Sequence, residues 1–389
     1  MTLSRVLVIG GGIGGLAVAT ALAQRGASVE LLEQAEAFTE VGAGLQISPN
    51  GLAVLKALGL ESALAAADPV RAKAVLLARD EDSKPVARLD LTRWDRGRAT
   101  YFLHRADLLS VLVTAAREAS VTLTLGARVA EVSPDAPPAL QLEDGSRHNA
   151  DLIIAADGIH SSTRALLNGA DTARFSGQVA WRAVVPNTAQ HPAEAHVHMG
   201  PGRHLVSYPL RGGSVVNLVA VQERAGWQPE GWQIADDPAN VMRAFYGASE
   251  QVRALLSQLE AVNLWGLHLH PVAAQWQGGN LALLGDAAHP TLPFLAQGAN
   301  MALEDAWVLA REVTRAPLEE GLAAYEALRR ARVPRVIRAA EKNAWRYHLR
   351  PGPLRAAAHL GLQVASRLVP GRMIGAFDWL YGHDVTAER

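Results

Sequence analysis

Arg5-Val6-Leu7-Val8-Ile9-Gly10-Gly11-Gly12-Ile13-Gly14-Gly15 is the stretch whose reading decides the fold. Residues 5–9 make a short apolar run, the pattern of a strand buried on both faces of a parallel sheet, and residues 16–24 continue as an apolar helix. Between strand and helix stands the Gly-x-Gly-x-x-Gly spacing of Gly10, Gly12 and Gly15. Gly10 permits the tight turn, Gly12 lets the backbone come close to a pyrophosphate, and Gly15 lets the helix pack on the strand. The first N–H groups of the helix, around Ile13 and Gly14, then face the anion. A second strand over 28–32 ends at Glu33, near the roughly 20-residue offset at which an acid accepts a hydrogen bond from a ribose 2′-hydroxyl. That carboxylate repels a 2′-phosphate. The stretch predicts an α/β, Rossmann-like domain holding an adenine-linked dinucleotide other than NADP.

Composition removes several classes of function. The chain has 389 residues, 49% of them hydrophobic, enough for two domains or one elaborated domain. A net charge of −1 and no dense basic run argue against nucleic acid as a partner. There is no cysteine, so disulfides, thiolate nucleophiles, Cys-ligated zinc, iron–sulfur clusters and redox-active cysteine pairs are excluded. Two-electron chemistry must therefore stay on a bound cofactor. No apolar run reaches the roughly 18 residues of a membrane span, and the first strand follows the N-terminus without a signal peptide, so the expectation is a cytoplasmic enzyme with no integral membrane association.

Beyond the first motif the chain leaves the nucleotide-binding domain and returns to it. Residues 74–79 and 86–91 flank the turn-rich Asp80-Glu81-Asp82-Ser83-Lys84-Pro85 and read as a hairpin. Short runs over 181–222, separated by Gly200-Pro201-Gly202 and Arg211-Gly212-Gly213, read as an antiparallel meander. Residues 103–120 read as helix, and 152–156 and 280–284 as buried strands. From about Leu318 the chain is rich in Ala, Leu and Arg at helical spacing, broken at Pro334 and Pro351. The amphipathic stretch 354–368 fits a helix packed on its own domain or on a dimer partner better than one lying on a membrane. The expected division is a discontinuous nucleotide-binding domain (1–72, 100–178 and 276–345), a β-sheet substrate domain (73–99 and 179–275) and a helical C-terminal region (346–389).

Two further motifs follow in order, Asp157-Gly158-Ile159-His160-Ser161 and Gly285-Asp286-Ala287-Ala288-His289. With the first they resemble those of the single-component FAD-dependent aromatic hydroxylases, the group of para-hydroxybenzoate, salicylate and 3-hydroxybenzoate hydroxylases, and the resemblance covers nearly the whole chain. It implies a GR2-type FAD-binding domain with an inserted antiparallel substrate sheet. It also implies that Gly10, Gly12, Gly15 and Glu33 hold the ADP half of FAD, that Asp157, Gly158 and Arg164 lie near the pyrophosphate, that Asp286 after Gly285 meets the ribityl hydroxyls, and that Arg105 reaches FAD. No second Gly-x-Gly-x-x-Gly is present, as in a family whose NAD(P)H has no domain of its own; NADH is the favoured donor. Where several relatives carry an arginine before the flavin loop, this chain has Glu40.

The chemistry so implied is reduction of FAD by NAD(P)H, formation of a flavin hydroperoxide from molecular oxygen, and transfer of oxygen to an electron-rich ring. A helix beginning near Asn300 would point its positive end at the flavin edge, making Gly298, Ala299 and Asn300 the contacts there. The loop Gly42-Ala43-Gly44-Leu45-Gln46 would cover the flat ring, with Gly44 and Leu45 closest. A phenol attacks best as phenolate, so a neutral base is needed at its hydroxyl. Period-two alternation puts His204, Val206 and Tyr208 on one face of the strand over 203–209, and His204 is the expected base. Tyr208, Pro293 and Gln297 complete the expected catalytic set, and His289 could approach the flavin. His196 with His198, and His268 with His270, lack clustered carboxylates or cysteines and read as structural, so no metal site is expected. Arg182, Arg203 and Arg211 are available to clamp a carboxylate, and Trp181, Tyr208, Phe294 and Trp379 to form apolar walls. The substrate reads as a small phenolic or heteroaromatic compound, and the enzyme as a monomer or homodimer. An FAD-dependent oxidase or dehydrogenase and a non-catalytic flavoprotein binding a planar ligand stay open as alternatives.

Overall fold

In a computed structural model of the chain, residues 3–38, 43–93, 98–135, 137–170, 172–226, 228–230 and 234–387 are described. Glu40 and Gly42 lie outside the described residues.

A six-stranded sheet carries the first motif. Its order is Gln277–Gly278, Leu281–Leu283, Leu152–Ala155, Arg5–Ile9, Ser28–Glu33 and Thr122–Leu125, parallel except at the short Gln277–Gly278 edge. Val6, Leu7, Val8 and all of Leu152–Ala155 are fully buried, because helices cover the sheet on both faces. The helix Ile13–Ala23 packs against helices Arg105–Glu118 and Gly298–Arg315. Gly10 sits at φ +100°, and a Cβ there would lie 2.4 Å from the Ala156 carbonyl oxygen; one on Gly15 would lie 2.0 Å from the Gly10 carbonyl oxygen. Only glycines let this helix start so close to its strand.

Expected helix 103–120 begins later. Tyr101–His104 is a strand paired antiparallel with Gly44–Ile47, and the helix starts at Arg105, where the His104 side chain accepts a hydrogen bond from the Ala106 N–H. Pairing with a segment about sixty residues upstream overrides the local helical pattern.

The second sheet has eight strands, in the order Ile234–Asp236, Val262–Leu269, Arg174–Pro186, Val215–Glu223, Arg203–Leu210, Glu194–Gly200, Ala74–Arg79 and Pro85–Asp90. It is antiparallel at every step but one, since Glu194–Gly200 runs parallel to Ala74–Arg79. That pair joins two separate excursions of the chain, so no hairpin imposes its direction. The strand Arg174–Pro186 also runs straight across the boundary expected at 178/179.

Helix Leu318–Tyr347 passes through Pro334 without a break, contrary to the pattern reading. Anchors hold it on both sides: the Tyr325 hydroxyl donates to the Leu283 carbonyl, Arg329 and Arg332 pair with Glu304, and Val336 and Ala340 are buried. Tertiary packing here outweighs the one hydrogen bond that a proline removes. After Pro351 the helix Pro353–Leu368 packs on the strand Pro85–Asp90, with Arg355 donating to both oxygens of Glu81, while Leu360, Val364 and Leu368 remain exposed. No helix among the described residues is long and apolar enough to cross a membrane.

Candidate active site

A cavity of about 900 Å³ runs between the two sheets, from the glycine turn to the face of the eight-stranded sheet. At its first end Gly12, Ile13 and Gly14 line it. A Cβ on Gly12 would meet nothing within 4 Å, so this glycine opens onto the cavity, whereas one on Gly14 would meet Leu284 Cδ2 at 2.5 Å. Glu33 braces the turn, accepting from the Gly11 N–H at 2.6 Å and the Ala35 N–H at 2.9 Å. Each carboxylate oxygen can accept a further bond from a ribose hydroxyl.

Both later motifs converge on this end, with different duties for their residues. Gly158, Gly285, Asp286 and Arg105 line the cavity. Asp286 is enclosed by the protein, yet its side chain is open to the cavity space. Burial raises its pKa, opposed by the charges of His289 and Arg105. Asp157 lies just behind the wall, accepting from Thr163 Oγ1 at 3.0 Å, and burial raises its pKa too. Arg164 also stands behind the wall. Its guanidinium donates to the carbonyls of Pro271, Ala287 and Ala288, so it ties the second motif to the third rather than opening on the cavity. His289 likewise stays outside: its Nε2 lies 2.6 Å from Asp305 Oδ2 and its ring packs on Trp276.

The helix facing the cavity starts at Gly298, two residues before the expected Asn300, with Ala296 in the left-handed conformation at φ +52° before it. Gly298 and Ala299 line the cavity. Asn300 is turned away, donating to the Gln46 and Ala296 carbonyls and accepting from the Ser48 N–H. Gln297 and Pro293 line the cavity as expected, but the Gln297 amide is also engaged, donating to Ser48 Oγ at 3.0 Å and accepting from Asn50 at 3.1 Å. Beneath the helix start Glu304 accepts from Asn50, Arg329 and Arg332, and Asp305 accepts from Arg329 at 2.6 Å and from the Gly285 N–H at 3.1 Å. Burial alone would raise the Asp305 pKa, yet His289 and Arg329 hold it down to about 2. Fixed charge thus anchors the third motif to the positive end of this helix.

The loop before the small sheet is anchored from the second sheet. The Gly44 N–H donates to Asn217 Oδ1 at 2.7 Å, and a Cβ on Gly44 would come within 2.8 Å of both Asn217 and Tyr208. Gly44 and Leu45 line the cavity.

At the far end His204, Val206 and Tyr208 all line the cavity, as strand periodicity requires. His204 is 1% exposed, and burial first and His348 second push its pKa well below the ordinary histidine value, leaving it neutral. Its Nδ1 lies 2.6 Å from His348 Nε2, and His348 Nδ1 lies 3.0 Å from Glu223 Oε1. Burial raises the Tyr208 pKa, which keeps that phenol protonated. Of the three candidate arginines, Arg203 pairs with Asp80 and Arg211 with Asp107, while Arg182 lines the cavity with its guanidinium 5.3 Å from the Trp265 ring. Phe294 lines the cavity; Trp181 instead donates to Asp236, and Trp379 carries Arg335 on its ring, both outside the lining. Of the paired histidines, His196 packs against His191 and His198, and His270 pairs with Glu230. Among the described residues no three His, Cys, Asp or Glu side chains group as metal ligands.

Sequence reasoning passes over His348, Glu223 and Asn217. Only Asn217 leaves a local trace, a polar residue inside the apolar run Val215-Val216-Asn217-Leu218.

Residues 4–340 match the family described as FAD binding domain. The chain belongs to the FAD-dependent aromatic hydroxylases. It is 36% identical to a 3-amino-4-hydroxybenzoate 2-monooxygenase of Streptomyces platensis, over 98% of this chain and 96% of that one. It is 34% identical to a 3-hydroxybenzoate 6-hydroxylase of Polaromonas naphthalenivorans over the same shares. A salicylate hydroxylase solved as a substrate complex superposes with a TM-score of 0.82 at 25% identity, covering 99% of this chain and 97% of that one. The hydroxylase is therefore a flavin-dependent monooxygenase of aromatic compounds, with FAD as its cofactor and NAD(P)H as the donor typical of the family. An open glycine turn, a cavity-facing carboxylate and a helix start at one end of a single cavity fit a bound dinucleotide.

Proposed function

We propose that this hydroxylase acts on a phenolic aromatic acid of the hydroxybenzoate class, with His204 as the base at the hydroxyl and Arg182 as the cation at the carboxylate. One observation carries the reading: the cavity that begins at the glycine turn ends at a neutral histidine and an enclosed arginine on the same sheet. Gly10, Gly12, Gly15 and Glu33 hold the ADP half of FAD; Asp286, Arg105 and the helix start at Gly298 and Ala299 hold its flavin half. When bound, FAD supplies reduction by NAD(P)H and the activation of molecular oxygen.

The protein's own residues prepare the ring for attack. A phenol is a far weaker nucleophile than its phenolate, and a neutral imidazole within hydrogen-bond reach removes the proton. Burial lowers the Arg182 pKa, and a carboxylate beside it reverses that loss while fixing the ring by a two-point hydrogen bond. Val206, Phe294 and Trp265 supply the apolar walls that exclude water. The FAD-binding part then comprises the six-stranded sheet and its helices, and the substrate part the eight-stranded sheet.

The test is NADH oxidation by FAD-loaded protein with 3-amino-4-hydroxybenzoate, 3-hydroxybenzoate, salicylate and the matching phenols without a carboxylate, with product and hydrogen peroxide quantified together. The expected result is stimulated oxidation with a hydroxylated product for at least one acid and a weaker response to its carboxylate-free partner. Equal response to acid and phenol would remove Arg182 from recognition, and peroxide alone with every compound would contradict the substrate class.

A further inference from the structure

His204, His348 and Glu223 form one unbroken line from the cavity to solvent. Nδ1 of His204 meets Nε2 of His348 at 2.6 Å, and Nδ1 of His348 meets Glu223 Oε1 at 3.0 Å. The His348 side chain is 1% exposed and that of Glu223 42% exposed, so the line begins in the interior and ends at water.

We propose that this line is a proton exit: the substrate hydroxyl gives its proton to His204 Nε2 while His204 passes its Nδ1 proton to His348, and His348 passes its own to Glu223 and so to water. Each imidazole gains one proton and loses one, so no imidazolium is left in the interior; the phenol becomes phenolate and the displaced proton reaches bulk solvent. The inference rests on the reading of His204 as the base.

Tautomer logic requires this order. A carboxylate only accepts, so His348 must carry its hydrogen on Nδ1, toward Glu223. That leaves His348 Nε2 a lone pair, which requires His204 to carry its hydrogen on Nδ1 as well. His204 Nε2 is then a bare acceptor for the cavity. Glu223, a surface residue at the end of the neighbouring strand Val215–Glu223, thereby fixes which nitrogen of His204 can take the phenol proton.

Among the described residues the His204 and His348 rings make only these two side-chain hydrogen bonds. Tyr347 and Phe294 pack on the His204 ring at 5.2 and 5.6 Å between centroids. Arg346 from the same helix and His359 from the next line the cavity, Tyr208 with Arg182 nearby lies along the strand, and Arg203 at the strand's start is paired with Asp80. Arg182 and Arg346 on this wall favour phenolate over phenol.

Two measurements on the holoenzyme test the line. In protein labelled with nitrogen-15 histidine, long-range proton–nitrogen correlation reads each ring's tautomer without any substrate; Nδ1–H on both His204 and His348 is expected, and Nε2–H on His204 would overturn the proposal. Glu223→Gln keeps an oxygen that accepts from His348 but cannot take its proton. With whichever phenol of the panel gives product, this variant should lose roughly tenfold in kcat at low buffer, keep its KM and FAD content, and regain turnover when formate or imidazole is added as a proton carrier. Wild-type kcat in both Glu223→Gln and His348→Gln, with hydroxylation lost in His204→Asn, would overturn the exit and leave the base in place. Hydroxylation intact in His204→Asn would remove both.

Discussion

Two buried polar groups border the same cavity and are built on opposite plans. Beneath the cavity-facing helix, Glu304, Asp305, Arg329, Arg332, Asn50 and Gln297 form a network in which each carboxylate is met by arginine or amide donors. On the face of the eight-stranded sheet His204, His348 and Glu223 stand in single file, the first lining the cavity and the last exposed to water, the line proposed above to carry a proton. Bidentate arginine pairs fix geometry and hold their charges permanently. Imidazoles hold a shape only through their tautomers and can change charge. On the proposed reading the cofactor side is scaffold and the substrate side machinery, and perturbing each should fail in a different way.

The largest effect should come from breaking the scaffold. Arg329→Met leaves Glu304 and Asp305 without their central cation in a fully buried site and should cost about 3–5 kcal/mol in denaturant unfolding. An unchanged unfolding midpoint would mean that this network carries no stability. Next, His204→Asn should leave FAD bound and the fold intact but lower hydroxylation by roughly 10²–10⁴-fold, the usual worth of a general base. Loss of FAD in that variant would place His204 with the scaffold instead. Asp286→Ala should weaken FAD by about 10–100-fold, the loss of one or two charged hydrogen bonds, as read by fluorescence titration of the apoprotein. Retention of FAD at wild-type affinity would remove Asp286 from the cofactor site.

Much of the scaffold was legible because its signals are local. The glycine spacing, the strand before it and Glu33 at the end of the next strand all lie within some thirty residues, and Gly10, Gly15 and Glu33 meet at one turn. The machinery was half legible. Strand alternation put His204 on the cavity face, but His348 comes from 144 residues away, and Glu223, on the neighbouring strand, is linked to His204 only through His348, 125 residues from it; nothing in the neighbourhood of either marks it. Arg164 shows the converse: its motif position suggests a ligand contact, whereas its donors reach carbonyls as far as 124 residues away. Pro334 inside a continuous helix, and the parallel pairing of Glu194–Gly200, are again outcomes of tertiary packing that local pattern does not contain.

Smaller effects sharpen the contrast. Gly44→Ala places a methyl within 2.8 Å of Asn217 and Tyr208, and should cost about 1–3 kcal/mol through overpacking where the loop meets the second sheet. A wild-type melting temperature in that variant would mean that the contact yields freely. Acid should dismantle the two sheets in sequence. Burial, the main cause, pushes His191 and His198 down to about 4, so both are neutral in the fold and charged more readily when unfolded. Their contribution is full above the ordinary histidine pKa near 6.5 and is lost as pH falls from there toward 4. Asp305, held at about 2 against an ordinary value near 3.9, contributes above about pH 4 and loses its contribution as pH falls toward 2. Unfolding free energy should accordingly decline in two stages, and His198→Gln should flatten only the upper one. A single stage below pH 4 would mean that the buried histidines titrate together with the carboxylates.

Coupling of NADH oxidation to product, measured in FAD-loaded wild type and His204→Asn at equal flavin content, tests the division most directly. The account predicts that wild type converts a hydroxybenzoate to its hydroxylated product and that the variant, with flavin equally bound and still reduced by NADH, yields little product. Equal product from both would contradict the assignment of the substrate-side histidine line as the enzyme's chemical machinery.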